Sequence, residues 1–201
     1  MRLPSMPKAA LVGCLMLAGP MYAGCGSTND GISRQAEPSQ ESSMTDGLTD
    51  GYGRGPLEDA IARMKRMRTE MIDALDHELG RQRWAPAANQ DGADIAGCND
   101  GVSQTVGLRT YTFSATYPAQ QWHRAAAIVE RIGRKYGFGA VNRTVDKPGN
   151  LDMTGAAPDG GSYNFAMAQA TILSVSTGCY QWAHQPGPGA WLTIDPTPGQ
   201  Q

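Results

Sequence analysis

One apolar stripe dominates the first half of the chain. Leu57, Ile61, Met64, Met71, Ile72, Leu75 and Leu79 recur three and four residues apart, which sets them on one face of a helix. Pro56 suits the first turn, Glu58 and Asp59 suit its positive end, and Gly80 suits the stop. Arg63, Lys65, Arg66, Arg68 and Glu70 fall mostly off the stripe. Four bases in a row of turns are compatible with an anionic ligand, but a solvated helix face is the simpler reading.

The period then changes. In residues 108–117, Leu108, Thr110, Thr112, Ser114 and Thr116 alternate with Arg109, Tyr111, Phe113, Ala115 and Tyr117. That is strand chemistry, with Tyr111, Phe113 and Ala115 expected to face the core. Pro118 opens a second predicted helix with Trp122, Ala125, Ala126, Val129, Ile132 and Tyr136 on one face, closed by Arg134, Lys135 and Gly137. Strands are expected at 138–145, 151–154, 162–167 and 171–180. Turns are expected at Lys147-Pro148-Gly149-Asn150 and Pro158-Asp159-Gly160-Gly161, with a less marked junction near 168–170. This order predicts an α+β domain over residues 56–182, an antiparallel or mixed sheet of about four strands with two helices packed on one face. Residues 183–201 read as a Pro/Gly-rich tail, from which Trp191, Leu192 and Ile194 are able to dock back. A domain of this length buries roughly two-thirds of its unfolded surface.

The N-terminus follows another logic. Arg2 and Lys8 precede an apolar run over residues 9–18, broken by Gly19-Pro20, which is the layout of an export signal over residues 1–24. The run is too short to span a bilayer, which takes about 20 apolar residues. It ends in Tyr22-Ala23-Gly24-Cys25, similar to a bacterial lipobox, whose cysteine receives diacylglycerol and becomes the mature N-terminus. Leu11-Val12-Gly13-Cys14 is the cleaner match but has only Ala9-Ala10 before it, and an ordinary secretory signal cut near Ala23 is a further alternative. Cys25 is the expected lipidation site. Residues 26–55 are rich in Ser, Thr, Gly, Asp, Gln and Glu and poor in apolar side chains, the composition of a flexible linker. Its root-mean-square reach is about 30 Å.

Charge narrows the partners. The whole chain carries −2, and the part from Cys25 onward about −4, so neither nucleic acid nor anionic lipid is attracted by charge. Membrane attachment therefore falls to the lipid, since two or three acyl chains hold durably where one holds marginally. With Cys25 lipidated in an oxidising compartment, Cys98 and Cys179 are left to pair. They close a loop of about 80 residues, worth about 4.5 kcal/mol by chain entropy, and lack the CxxC spacing of a redox pair.

Catalytic chemistry finds little material. His77, His123 and His184 are scattered and form neither an i, i+4 pair nor a Cys/His set, so neither metal nor cofactor is expected. A Ser-His-Asp triad lacks its Gly-x-Ser-x-Gly elbow. Asp73 and Asp76 read as solubilising, and Asp159-Gly160-Gly161 as a turn, not a phosphate loop. Three readings follow: a non-catalytic module that binds an envelope protein or polymer, a carrier of a lipid or other apolar ligand between helices and sheet, and a hydrolase. The first is expected and no enzyme is foreseen. The small residues at 125–127 and 166–170 serve a cavity or close packing equally well.

The order of several short segments resembles the LppA-like lipoproteins of mycobacteria. They are Trp84 before Cys98, Thr112-Phe113-Ser114-Ala115, Ala126-Ala127-Ile128-Val129, Lys135-Tyr136-Gly137, Gly161-Ser162-Tyr163-Asn164-Phe165 and Ser176-Thr177-Gly178-Cys179-Tyr180. The likeness spans most of residues 56–182. It implies a small lipid-anchored envelope protein on the extracytoplasmic face of the cell membrane, with roles for Cys25, Cys98 and Cys179 and no catalytic residues.

Overall fold

The computed structural model describes residues 55–196; the signal segment, Cys14, Cys25 and most of the linker lie outside the described residues. Helix α1 (Leu57–Leu79) starts beside Pro56 with no side-chain cap, carries Glu58 and Asp59 in its first turn, and stops at Gly80, whose φ of 96° only glycine adopts readily. Its buried face gains Met67 and Arg68 beyond the predicted stripe. Arg68 therefore does not belong to a solvated face, for reasons given below. Helix α2 (Trp122–Lys135) begins four residues after Pro118, because residues 118–121 form a turn closed by the Gln121 N–H on the Pro118 carbonyl at 2.8 Å.

The sheet has eight strands, not about four. They are β1 (Ala85–Pro86), β2 (Asp94–Gly97), β3 (Gln104–Gly107), β4 (Tyr111–Phe113), β5 (Val141–Lys147), β6 (Asn150–Ala156), β7 (Ser162–Met167) and β8 (Thr171–Ser176). The main path runs β1-β4-β8-β7-β6-β5, and β3 joins β8 at Gly107↔Ser176 while pairing with β2 on its other side. Every strand pair is antiparallel. The extra strands are two to four residues long, too short for a period to register. The expected strand at 108–117 keeps only its centre: regular pairing with β8 is interrupted at 108–110, and Ala115 is exposed after its N–H closes a tight turn on the Phe113 carbonyl at 2.9 Å. The expected strand at 171–180 ends at Ser176, and the chain turns through buried Thr177 and Gly178 into an isolated Gln104↔Tyr180 bridge. The hairpins at Gly149 and Gly160 stand where the turn chemistry places them, both glycines having positive φ.

Alternation sorts the central strands into two faces. Leu151, Met153 and Gly155 of β6, Tyr163, Phe165 and Met167 of β7, and Thr171, Leu173 and Val175 of β8 lie in register on the buried face. Both helices pack there, α1 against β8 and α2 against β6 and β7. Met64, Met67, Met71 and Leu75 of α1 and Ala125, Ala126, Val129 and Ile132 of α2 complete a continuous core. Of the small residues, Ala125 and Ala126 serve close packing, whereas Ala166, Ala168 and Ala170 lie outside this core. A Cβ on Gly133 would stand 2.5 Å from Cε1 of Tyr163, and one on Gly155 would overlap the same ring, so two glycines make the slot that ring fills.

Residues 183–196 are not wholly irregular. Helix α3 (Ala190–Ile194) delivers Asp195 into the interior, where it is 5% exposed. The helix itself buries no residue: Trp191 and Leu192 stand 42% and 45% exposed, and only Ile194 leans on the core. The one fully buried side chain of the segment is thus a charge, Asp195, beside the partial packing of Trp191 and Ile194.

Candidate binding surface

The outward face of the sheet is built by the alternate residues. Their register makes successive rows: Ser162–Ser176, then Thr154–Asn164–Ser174, then Asp152–Ala166–Ile172. The face thus grades from hydroxyl and amide groups at one end to aliphatic groups at the other. At the polar end Gln90, Asp94 and Thr110 wall a groove of about 190 Å³ over Ser162, Asn164, Ser174 and Ser176. At the aliphatic end Val145, Ala166, Ala168, Ala170 and Ile172 line a groove of about 380 Å³ with Asn150 and Asp152 at its rim.

The polar groups there are held in place. Ser162 and Ser176 hydroxyls are 2.9 Å apart, and the Asn164 amide donates to Asp152 Oδ1 at 2.7 Å and to Thr154 Oγ1 at 3.3 Å. Gln90 Oε1 accepts the Thr110 N–H at 2.6 Å, which ties the wall to the sheet. Such an arrangement offers donors and acceptors beside an aliphatic patch, the usual chemistry of a recognition surface.

Along the helices several charges pair with one another. A groove of about 590 Å³ along α1, lined by Lys65, Arg66, Glu70, Asp73, His77, Glu78 and Arg131 among others, mixes both signs. Glu70 pairs with Lys135 at 2.7 Å and accepts the Tyr136 hydroxyl at 3.0 Å, while Glu78 pairs with Arg131 at 2.7 Å and Arg124 at 3.3 Å. The Lys135 ammonium bond holds Glu70 below the ordinary carboxylate range. These exposed pairs organise the two helices and add little stability.

Asp159, read from sequence as a turn residue, does more than turn. Its side chain accepts Gly161 N–H at 2.9 Å, Arg63 Nη2 at 2.8 Å and the Tyr180 hydroxyl. Burial works against its charge, but these donors, Tyr180 foremost, outweigh it and hold Asp159 below its usual value. Burial and the Asp159 bond push Tyr180 up to about 12. The cluster fastens α1 to the β6–β7 turn and the segment after β8. It is structural. Its partners are 96 and 21 residues away, beyond any local pattern.

Cys98 and Cys179 form a disulfide with Cα atoms 6.2 Å apart. His77 lies in the last turn of α1, His123 is stacked near Trp122 at 3.6 Å between ring centroids, and His184 sits in the segment after β8, where its backbone N–H donates to Glu58. They are on three separate elements. Asp76, expected to be solubilising, accepts the Gln82 N–H at 3.0 Å and so fixes the chain leaving α1. Among the described residues no group of His, Cys, Asp or Glu is placed to hold a metal, and no helix is long and apolar enough to cross a membrane.

These features define a single-disulfide α+β domain with helices on one face of an antiparallel sheet and a mixed polar and aliphatic surface on the other. Among solved structures it is similar to LppA from Mycobacterium tuberculosis, at 17% identity and a TM-score of 0.55, over 66% of this chain and 87% of that one. A DUF4853 family protein from Actinomyces odontolyticus gives 14% identity and a TM-score of 0.49, over 70% and 80%. No curated protein matches. The pattern that defines the LppA family, described as a lipoprotein confined to pathogenic Mycobacterium, matches residues 33–181, and the chain belongs to that family.

Proposed function

We propose that this chain is a lipoprotein acylated at Cys25, held by that lipid on the extracytoplasmic face of the cell membrane, and that it works by binding an envelope protein or polymer, not by catalysis. The observation that carries the reading is the division of the sheet. Its helix side is filled by Met64, Met67, Met71, Leu75, Phe165 and Met153, all at or below 1% exposure, whereas its outer side keeps ordered polar rows in an accessible groove. A ligand engulfed between helices and sheet would have to displace that core, so a surface interaction is favoured over carriage of a lipid. Membership of a lipoprotein family supports the anchor, as does the spacing around Cys25.

Two experiments test it. Mass spectrometry of detergent-extracted protein is expected to find a diacylglyceryl-modified Cys25 at the mature N-terminus; a signal sequence retained intact, or lipid on Cys14, refutes the assignment. Photo-crosslinking groups placed at Ser174 and at Thr69 are then compared in cells. Adducts are expected from Ser174 on the outer sheet face and not from Thr69 on α1. The reverse pattern moves the binding surface to the helices.

A further inference from the structure

We infer that Arg68, the backbone N–H of Arg109 and the ring of Tyr111 build a carboxylate-binding site, that Asp195 fills it as an intramolecular ligand, and that residues 190–195 are a strap which a competing carboxylate displaces. Arg68 is 5% exposed and presents a fork: Nη1 to Asp195 Oδ2 at 2.7 Å and Nη2 to Oδ1 at 2.9 Å. The Arg109 N–H gives a third bond to Oδ2 at 2.9 Å. Bidentate geometry with an added backbone donor is the strong form of carboxylate recognition.

Two contacts fix the guanidinium without help from the strap. Nη1 also donates to the Arg109 carbonyl at 3.0 Å, and Cζ lies 4.4 Å from the centre of the Tyr111 ring. The receptor half is therefore preformed by α1 and by the segment leading into β4. The strap half is lightly held. Its helix has no buried residue. Besides the carboxylate it is tied by the Ala93 N–H on the Trp191 carbonyl at 3.0 Å, by Lys65 on the Ile194 carbonyl, by the Trp191 ring lying against buried Gly92, and by the partial packing of Ile194.

The balance of the exchange follows. Releasing the strap alone strands a buried cation, which is strongly unfavourable. Releasing it as another carboxylate enters keeps the cation paired, and what is then uncovered is the packing of Trp191 on Gly92 and of Ile194 on the core. Exchange is then governed by the entering ligand's concentration against the strap's effective concentration, which is millimolar for a short tether.

The test uses the full chain. Asp195→Ala is melted in sodium chloride, in sodium acetate of equal ionic strength, and in chloride with the blocked peptide Ala-Trp-Leu-Thr-Ile-Asp. Acetate or peptide is expected to raise the Tm of this variant and to leave Arg68→Met/Asp195→Ala unmoved. Recovery by acetate assigns a small-acid site, and recovery by peptide at far lower concentration assigns an acidic-peptide site. No recovery by either, or equal recovery in the double variant, overturns the proposal. Hydrogen exchange on the unaltered protein needs no variant to fold. The Ala93 and Arg109 amides, which donate to the strap, are expected to exchange at least 100-fold faster than the amides of β7 and β8. Exchange at the same rate as the sheet would mean that the strap leaves only on global unfolding, and overturns it.

Discussion

Replacing both Cys98 and Cys179 by Ala isolates what the covalent bridge contributes, because the native structure already holds its two ends together. Gln104 and Tyr180 exchange backbone bonds at 2.8 and 3.0 Å, the Thr177 N–H reaches the Val106 carbonyl at 2.9 Å, and Thr105 Oγ1 donates to the Thr177 carbonyl at 2.7 Å. The folded chain without sulfur atoms therefore keeps its geometry, and the loss falls on the unfolded ensemble. With the cysteines 81 positions apart in the sequence, the chain-entropy relation gives about 4.5 kcal/mol. For a domain of this size the urea dependence is about 2 kcal/mol per molar, so the midpoint should fall by about 2 M. The assay is urea unfolding by near-ultraviolet circular dichroism, with amide spectra recorded to check the Gln104–Tyr180 pairing. A fall below about 0.5 M with the pairing intact would falsify the entropic account. Loss of the pairing would instead show that the bridge shapes the folded state.

The remaining predictions are local. Gly155→Ala drives a methyl group into the Tyr163 ring between two packed layers, and should cost about 1–3 kcal/mol in the same urea assay; a neutral result would mean that the slot is looser than described. Tyr163→Phe removes a buried hydroxyl with no hydrogen-bond partner and should be neutral or stabilising, whereas Tyr180→Phe removes the hydroxyl that serves Asp159 and should cost about 1 kcal/mol or more; equal effects would contradict the bonding pattern. Asp159 and Asp195 are both held below their ordinary value, burial opposing and bonded donors prevailing. Their contribution should be complete above the ordinary aspartate value of about 3.9 and lost as pH falls through the lower folded values. Unfolding midpoints measured between pH 7 and 2 check this, and Asp195→Asn should flatten the acid limb; an unchanged limb would assign the dependence elsewhere.

The helices were legible because their stripes are long enough for a period to emerge, and the central hairpins because Gly149 and Gly160 mark the turns. β1, β2 and β3 were not legible. Sequences such as Asp94-Ile95-Ala96-Gly97 become strands only when a neighbour supplies the ladder, here β3 in register from Asp94↔Gly107 to Gly97↔Gln104. Arg68 carried a readable warning: it lies four residues after Met64 and three before Met71, on the apolar line itself. What no local pattern could supply was the counterion, 127 residues downstream in a segment whose composition resembles a tail. The outer sheet face was half legible. Alternation in 162–167 and 171–176 assigns Ser162, Asn164, Ser174 and Ser176 to one side, but only the register shows that they stand in rows beneath Gln90 and Asp94.

The position of the bridge bears on the proposed anchor. The chain enters the domain at Pro56, which lies alongside Gln181, and the Leu57 N–H donates to the Gln181 carbonyl at 2.8 Å. Two residues before Gln181 stands Cys179, covalently joined to Cys98, and one residue before it stands Tyr180, paired with Gln104 and bonded to Asp159. With the proposed anchor at Cys25, any pull would therefore enter the domain at the corner that holds a disulfide and two backbone bridges, through a staple that reaches the β2–β3 hairpin. The outer sheet face begins within the same corner, at Ser176 and Gly107. Under the proposed anchor, a load entering at Pro56 would meet covalent and paired backbone at the rim of the groove before it reached the rows of polar side chains.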